Sequence, residues 1–110
     1  MLITRDYKIS LRERVKSDPK FAASLMNEAV SALVHGEPEL ARTLLRELVN
    51  ASVGFDTLAA ELGKPDKSIK RMLAQNGNPT MNNMTNILMI LQKKLKLDVE
   101  VKSHLLVKKL

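Results

Sequence analysis

Two prolines placed at helix starts constrain this chain more than any other feature of its sequence. Pro19 and Pro38 stand in Asp18-Pro19 and Glu37-Pro38. Proline suits the first helical position because the amide it lacks would find no partner there, and Asp18 can cap the same end. Between the two signals Phe21, Leu25, Ala29, Val30, Leu33 and Val34 recur at three- and four-residue spacing, the stripe of an amphipathic helix. His35-Gly36 closes it, since glycine can take the left-handed conformation that ends a helix. After Pro38 the pattern repeats with Leu40, Leu44, Leu45, Leu48 and Val49, and it runs out near residues 50–54.

Three further helices follow from the same punctuation. Phe55 to Leu62 is a short one stopped by Gly63, and Asp66 to Gln75 is another. Asn76-Gly77-Asn78-Pro79 reads as a loop, and Thr80 as the cap of a fifth helix with Met81, Met84, Ile87, Leu88 and Leu91 on its buried side. At that spacing methionine is core filler rather than a pliable binding groove. Ahead of these helices, Ile9 to Lys16 can form one or two amphipathic turns within a lead-in of residues 1–17. At the other end, Lys96 to Lys102 alternates polar and apolar residues, the period of a half-buried strand. A lone strand cannot satisfy its backbone, so it needs a partner from the N-terminal segment, a second copy or another protein. The expectation is an all-α, five-helix domain over residues 18–102 with a short C-terminal β-strand, then a tail at 103–110.

Composition supports helices and removes much chemistry. Aromatic residues are 3% of the chain and tryptophan is absent, so Leu, Ile, Val, Met and Ala must fill the core, which favours packed helices over a β-sandwich. Without cysteine there is no disulfide, thiolate nucleophile or cysteine-ligated zinc. His35 and His104 lie far apart with no acidic residues at ligand spacing, so no metal or cofactor is expected. Asp56 and Glu61 do not stack on their helix, and no phosphate loop or nucleophile elbow occurs, so an enzyme is not expected. Neither a secretion signal nor a membrane-spanning run is evident, which points to a cytoplasmic protein. The net charge of +6, from 18 Lys+Arg against 12 Asp+Glu, suits a polyanionic partner.

Four of the cations, Lys64, Lys67, Lys70 and Arg71, stand close together in one stretch, TLAAELGKPDKSIKRMLAQNGNPT, residues 57–80. A helix-turn-helix needs a small residue where its helices approach, a glycine in the turn, and apolar anchors on both helices. Ala59, Gly63, Leu58 with Leu62, and Ile69 with Met72 and Leu73 fill those places. With the anchors inward, Lys67, Lys70, Arg71 and the small Ala74 point outward. Lys67 and Arg71 can donate to guanine O6 and N7 in the major groove, while Asp66 can accept from cytosine N4 or stabilise the helix start. Lys64, Ser68 and Lys70 suit phosphates, and Asn76 and Asn78 can reach the DNA backbone past that helix.

The succession Leu58-Ala59, Leu62-Gly63, Ser68-Ile69, Leu73 and Gly77-Asn78-Pro79-Thr80 resembles the lambda-repressor-like helix-turn-helix superfamily. Together with Leu25-Met26-Asn27-Glu28-Ala29, His35-Gly36-Glu37-Pro38-Glu39-Leu40 and Leu95-Lys96-Leu97-Asp98-Val99, it is similar more narrowly to addiction-module antidote proteins, the antitoxins of toxin–antitoxin pairs. That resemblance implies neutralisation of a small RelE/ParE-like toxin and repression of the pair's own operon through double-stranded operator DNA. Three positions depart from the family pattern. Pro65 replaces a serine or threonine cap, Lys70 replaces an aromatic residue, and Gln92-Lys93-Lys94 runs on where a glycine usually precedes the strand. One recognition helix makes few contacts, so a homodimer reading half-sites about 34–36 Å apart is the expected working form. The alternatives are a toxin-neutralising interaction module with little DNA binding, and a phage-type repressor with no toxin partner.

Overall fold

Caps and prolines set where the helices begin. The structure, a computed structural model, describes residues 5–107, with side chains from Ser10 onward. Six helices run through it: α1 Arg5–Ser17, α2 Pro19–Val34, α3 Pro38–Ala51, α4 Gly54–Leu62, α5 Asp66–Met72 and α6 Met81–Leu95. The Asp18 carboxylate accepts the Lys20 amide at 3.1 Å just ahead of Pro19, and the Thr80 hydroxyl oxygen accepts the Asn83 amide at 3.1 Å at the head of α6. Each bond satisfies one of the amides that a helix start leaves without an internal partner. The architecture is all-α, and among the described residues no helix is long and apolar enough to cross a membrane.

There are six helices rather than five because the lead-in coils for 13 residues instead of one or two turns. Leu11 and Val15, one helical turn apart, are buried against α2 and α3, which explains why the helix persists. Ile9, the first residue of the expected turns, lies outside the residues whose side chains are described. On α2 the face turned deepest into the core is Ala22, Met26, Ala29 and Ala32, while Phe21, Leu25 and Val30 pack around its margin. Alanines there allow the close approach of α3, the helix with which α2 makes its most extensive contact. Val34 at 64% exposure, Leu40 at 44% and Met81 at 84% fall outside the core that their spacing suggested, each lying within a turn of a helix end. Met26, Leu45, Leu48, Val49, Leu58, Ile69, Leu73, Ile87 and Leu91 form the fully buried centre, drawn from α2, α3, α4, α5, the residue after it, and α6. An ion pair of 2.8 Å between Lys94 and Glu61 links α6 to α4. The Lys94 hydrogen bond and charge hold the Glu61 carboxyl below its usual pKa range.

The expected C-terminal strand does not form: no strand occurs among the described residues. Lys96 ends α6 in the left-handed conformation, φ 56°, the task for which a glycine is usual. The chain then runs past the core with Leu97 and Val99 half-buried and Asp98 and Glu100 exposed. The alternation read from the sequence is therefore present as a pattern of burial from Leu97 to Glu100 and lapses at Val101, which is 68% exposed. What is missing is a second strand, and without one there is no ladder. Gln92 stands in for part of it: its carbonyl accepts the Leu97 amide and its side-chain oxygen accepts the Val99 amide, both at 2.8 Å. The tail from Ser103 is described as far as Val107 and is exposed throughout.

Candidate nucleic-acid interface

Gly63 fixes the geometry between α4 and α5. It takes φ 63° and ψ 34°, and its amide bonds the Ala60 carbonyl at 3.2 Å while the Lys64 amide bonds Ala59 at 3.1 Å. This paired closure satisfies the last carbonyls of α4 and turns the chain sharply. Pro65 follows in an extended conformation, offers no side-chain cap, and lets α5 begin at Asp66, where the Ser68 amide bonds the Pro65 carbonyl at 3.0 Å. Buried Leu58 and Ala59 on α4 and Ile69 and Leu73 on and after α5 bring the two helices onto the same core.

With that side turned inward, the other side of α5 is set. Lys67, Lys70 and Arg71 are exposed, as is Lys64 in the connection. Asn76 and Asn78 are exposed in the loop beyond α5, whereas Asp66 and Ser68 are half-buried. Asp66 and Lys70, one turn apart, pair at 3.6 Å across the helix surface. An exposed pair of this kind contributes little and opens readily. Lys67, Arg71 and Lys64 have no ion-pair or hydrogen-bonding side-chain partner among the described residues, so their positive charges face solvent.

Helix α5 is seven residues long and stops at Met72, three residues short of the expected Gln75. The carbonyls just beyond its end are bonded from α3. Arg42 donates through Nε to the Ala74 carbonyl at 3.0 Å and through Nη2 to the Gln75 carbonyl at 2.8 Å, while Arg46 Nη1 donates to the Leu73 carbonyl at 3.2 Å. A helix that reached Gln75 would leave the same carbonyls without amide partners, so the guanidinium groups satisfy the chain end, with charge-assisted bonds stronger than neutral ones. The early stop is seen in the Ala74 amide, which bonds the Arg71 carbonyl at 3.3 Å instead of continuing the helix. Gly77 completes the bend: its amide bonds the Ala74 carbonyl at 2.9 Å, and its α-carbon passes so close to α5 that an added Cβ would meet the Met72 and Arg71 carbonyl oxygens.

Arg42, Arg46 and the packing role of Gly77 escaped the sequence reading. The two arginines stand four residues apart and so share one face of α3, but that spacing alone does not name carbonyls some thirty residues away. His35, by contrast, is exposed at the end of α2 with Nδ1 2.7 Å from the Ser31 carbonyl, a place at a helix end. No protein-family model, no curated protein and no solved structure matches the chain.

Proposed function

We propose that the protein is a sequence-specific DNA-binding transcriptional regulator in which α4 and α5 form a helix-turn-helix and α5 enters the major groove. The observation that carries this reading is the arrangement of Lys67 and Arg71, solvent-facing cations on a short helix whose opposite side is anchored by Ile69 and by Leu73 just after it, with Lys64 exposed in the connection before it. A recognition helix has to be rigid as well as basic, and α5 is held from both ends: by the Gly63 turn before it and by Arg42 and Arg46 after it. In this reading Lys67 and Arg71 address base edges, with guanine O6 and N7 the best acceptors for each. Lys64, Ser68 and Lys70 bind phosphates, and Lys70 exchanges its exposed pairing with Asp66 for a phosphate oxygen. Asn76 and Asn78 approach the sugar–phosphate backbone from the bend beyond α5.

The motifs that resemble addiction-module antidotes extend the proposal. The regulator acts as the antitoxin of a toxin–antitoxin pair, binding a small toxin of RelE/ParE-like type and repressing their common operon as a homodimer. A second reading, neutralisation of a toxin with little DNA binding, is favoured by one specific feature. Pro65 supplies neither a hydroxyl nor an amide for a phosphate at the head of α5. A neighbouring gene that encodes no small basic toxin would leave a repressor without a toxin partner.

The two readings separate in a salt titration of binding to the duplex that precedes the protein's own gene. A DNA-reading α5 retains the duplex at low salt, and log affinity falls with log salt by about 0.9 for each phosphate neutralised. No retention at low salt, or a flat dependence, would leave the toxin-binding reading in its place.

A further inference from the structure

The bend beyond α5 contains a chemically reactive pair, Asn76 followed by Gly77. Glycine places no Cβ beside its own nitrogen, so that nitrogen reaches the preceding asparagine side chain more readily than in any other Asn-Xaa pair. No other asparagine in the chain is so placed. Asn27, Asn50, Asn82, Asn83 and Asn86 each precede a residue inside a helix, and Asn78 precedes Pro79, which has no amide hydrogen to lose. Asn76 is exposed between α5 and α6. Glycine is also required at position 77, because a Cβ there would meet the Arg71 and Met72 carbonyl oxygens. The packing that makes the bend therefore keeps the reactive pair in place.

The same packing restrains it. The Gly77 amide donates to the Ala74 carbonyl at 2.9 Å, and that carbonyl also accepts from Arg42 Nε at 3.0 Å. The nitrogen must leave this bond and lose its proton before it can attack, so reaction waits on local opening of the bend. We propose that Asn76-Gly77 is a self-modification site, closed while the bend holds and irreversible once it has reacted. On opening, a solvent base takes the Gly77 amide proton and the nitrogen attacks the Asn76 side-chain carbonyl carbon. The bond from that carbon to the side-chain nitrogen breaks, ammonia leaves, and a five-membered succinimide remains. Water adds to either ring carbonyl and opens the ring to aspartate or isoaspartate, with no change of oxidation state. Either product carries a carboxylate, which repels the phosphates that Asn76 is assigned to approach. Isoaspartate also adds a methylene to the main chain just before Gly77, shifting it against the α5 carbonyls that it passes so closely. The chemistry is independent of DNA binding, and only its consequence for DNA rests on the proposed role of α5.

The test incubates the full chain in mildly alkaline buffer, folded and in urea, and follows each asparagine by peptide mass mapping. Ammonia is lost at Asn76 ahead of every other asparagine, and folding slows that loss about 10-fold or more. The slowing matches the protection of the Gly77 amide from hydrogen exchange, because both need the same opening. Asn76→Gln stops the reaction, since ring closure from a side chain one carbon longer is much slower. Aged wild type unfolds at a lower temperature than fresh protein, while aged Asn76→Gln does not. A folded chain that reacts as fast as the chain in urea, or whose slowing bears no relation to Gly77 protection, would overturn the proposal. Aged wild type also loses retention of the duplex. Fresh protein that retains no duplex while Asn76 still reacts would sink the proposed function and leave the modification standing. Retention that survives full conversion would overturn the link between the modification and DNA.

Discussion

Lys67→Ala combined with Arg71→Ala is expected to abolish retention of the operator duplex while the protein unfolds at nearly the wild-type temperature. The two halves of that result have separate causes. Neither side chain has a hydrogen-bond or ion-pair partner among the described residues, and both are exposed, so stability shifts by no more than about 0.5 kcal/mol. Alanine is also the best helix former, which helps to keep α5 intact. On DNA each side chain is assigned a contact to a base edge, worth about 1–3 kcal/mol of discrimination. Losing both removes about 2–6 kcal/mol per protomer, a loss of about 30-fold to over 10⁴-fold in affinity. Binding of a toxin should survive, because the substitutions touch only the outer face of α5. Gel retention, thermal unfolding and toxin co-purification on the same variant give the three readings. Unchanged retention would remove Lys67 and Arg71 from the interface.

Gly77→Ala is expected to be the most damaging small substitution in the loop beyond α5. Its Cβ would sit 2.6 Å from the Arg71 carbonyl oxygen and closer still to that of Met72, and both obstacles are backbone. No side chain can rotate away, so either the bend opens or the end of α5 shifts. Overfilling a packed site costs about 1–3 kcal/mol, equivalent to a fall in Tm of about 4–12 °C for a domain of this size. The displacement acts on the turn that carries Arg71, so DNA affinity should drop together with stability. Gly63→Ala makes an informative contrast. Open space surrounds Gly63, and its penalty arises from φ alone, about 1–2 kcal/mol, with no steric displacement of α5. Thermal unfolding of the two variants, with retention measured well below each midpoint, separates the effects. A Gly77→Ala protein as stable as wild type would contradict the tight approach of the loop to α5.

Much of the helical framework was legible because its signals are local. Asp18-Pro19, Pro38 and Thr80 mark helix starts through chemistry contained in a few residues, and the structure places α2, α3 and α6 directly after them. Gly63 was legible for the same reason, since the left-handed closure of α4 needs a residue without a Cβ penalty. The deepest face of α2 was harder to see. A stripe of large residues locates an apolar side, but Ala22, Ala29 and Ala32 become its centre only because α3 lies so close. The full length of α1 depends likewise on tertiary burial of Leu11 and Val15, which a weak local pattern does not announce.

The candidate site divides along the same line. The outward placement of Lys67, Lys70 and Arg71 follows from helical periodicity once Ile69 is inside, so sequence sufficed. The early stop of α5 did not follow, because it rests on the tightened Ala74–Arg71 turn and on Gly77 folding back against the helix end, contacts that periodicity does not announce. The strand failed for a related reason. Alternation in Leu97-Asp98-Val99-Glu100 specifies which side chains face inward, but a ladder also requires a neighbour that one copy lacks.

Backbone-amide NMR of the full chain, titrated with the duplex preceding its gene, tests the central claim most directly. The amides of residues 64–71 should shift first and most, with those of 76–78 following and the α1–α2 surface unchanged. Shifts confined to α1 and α2, or none at low salt where a basic face binds most strongly, would contradict the assignment of α5 as the DNA-reading helix.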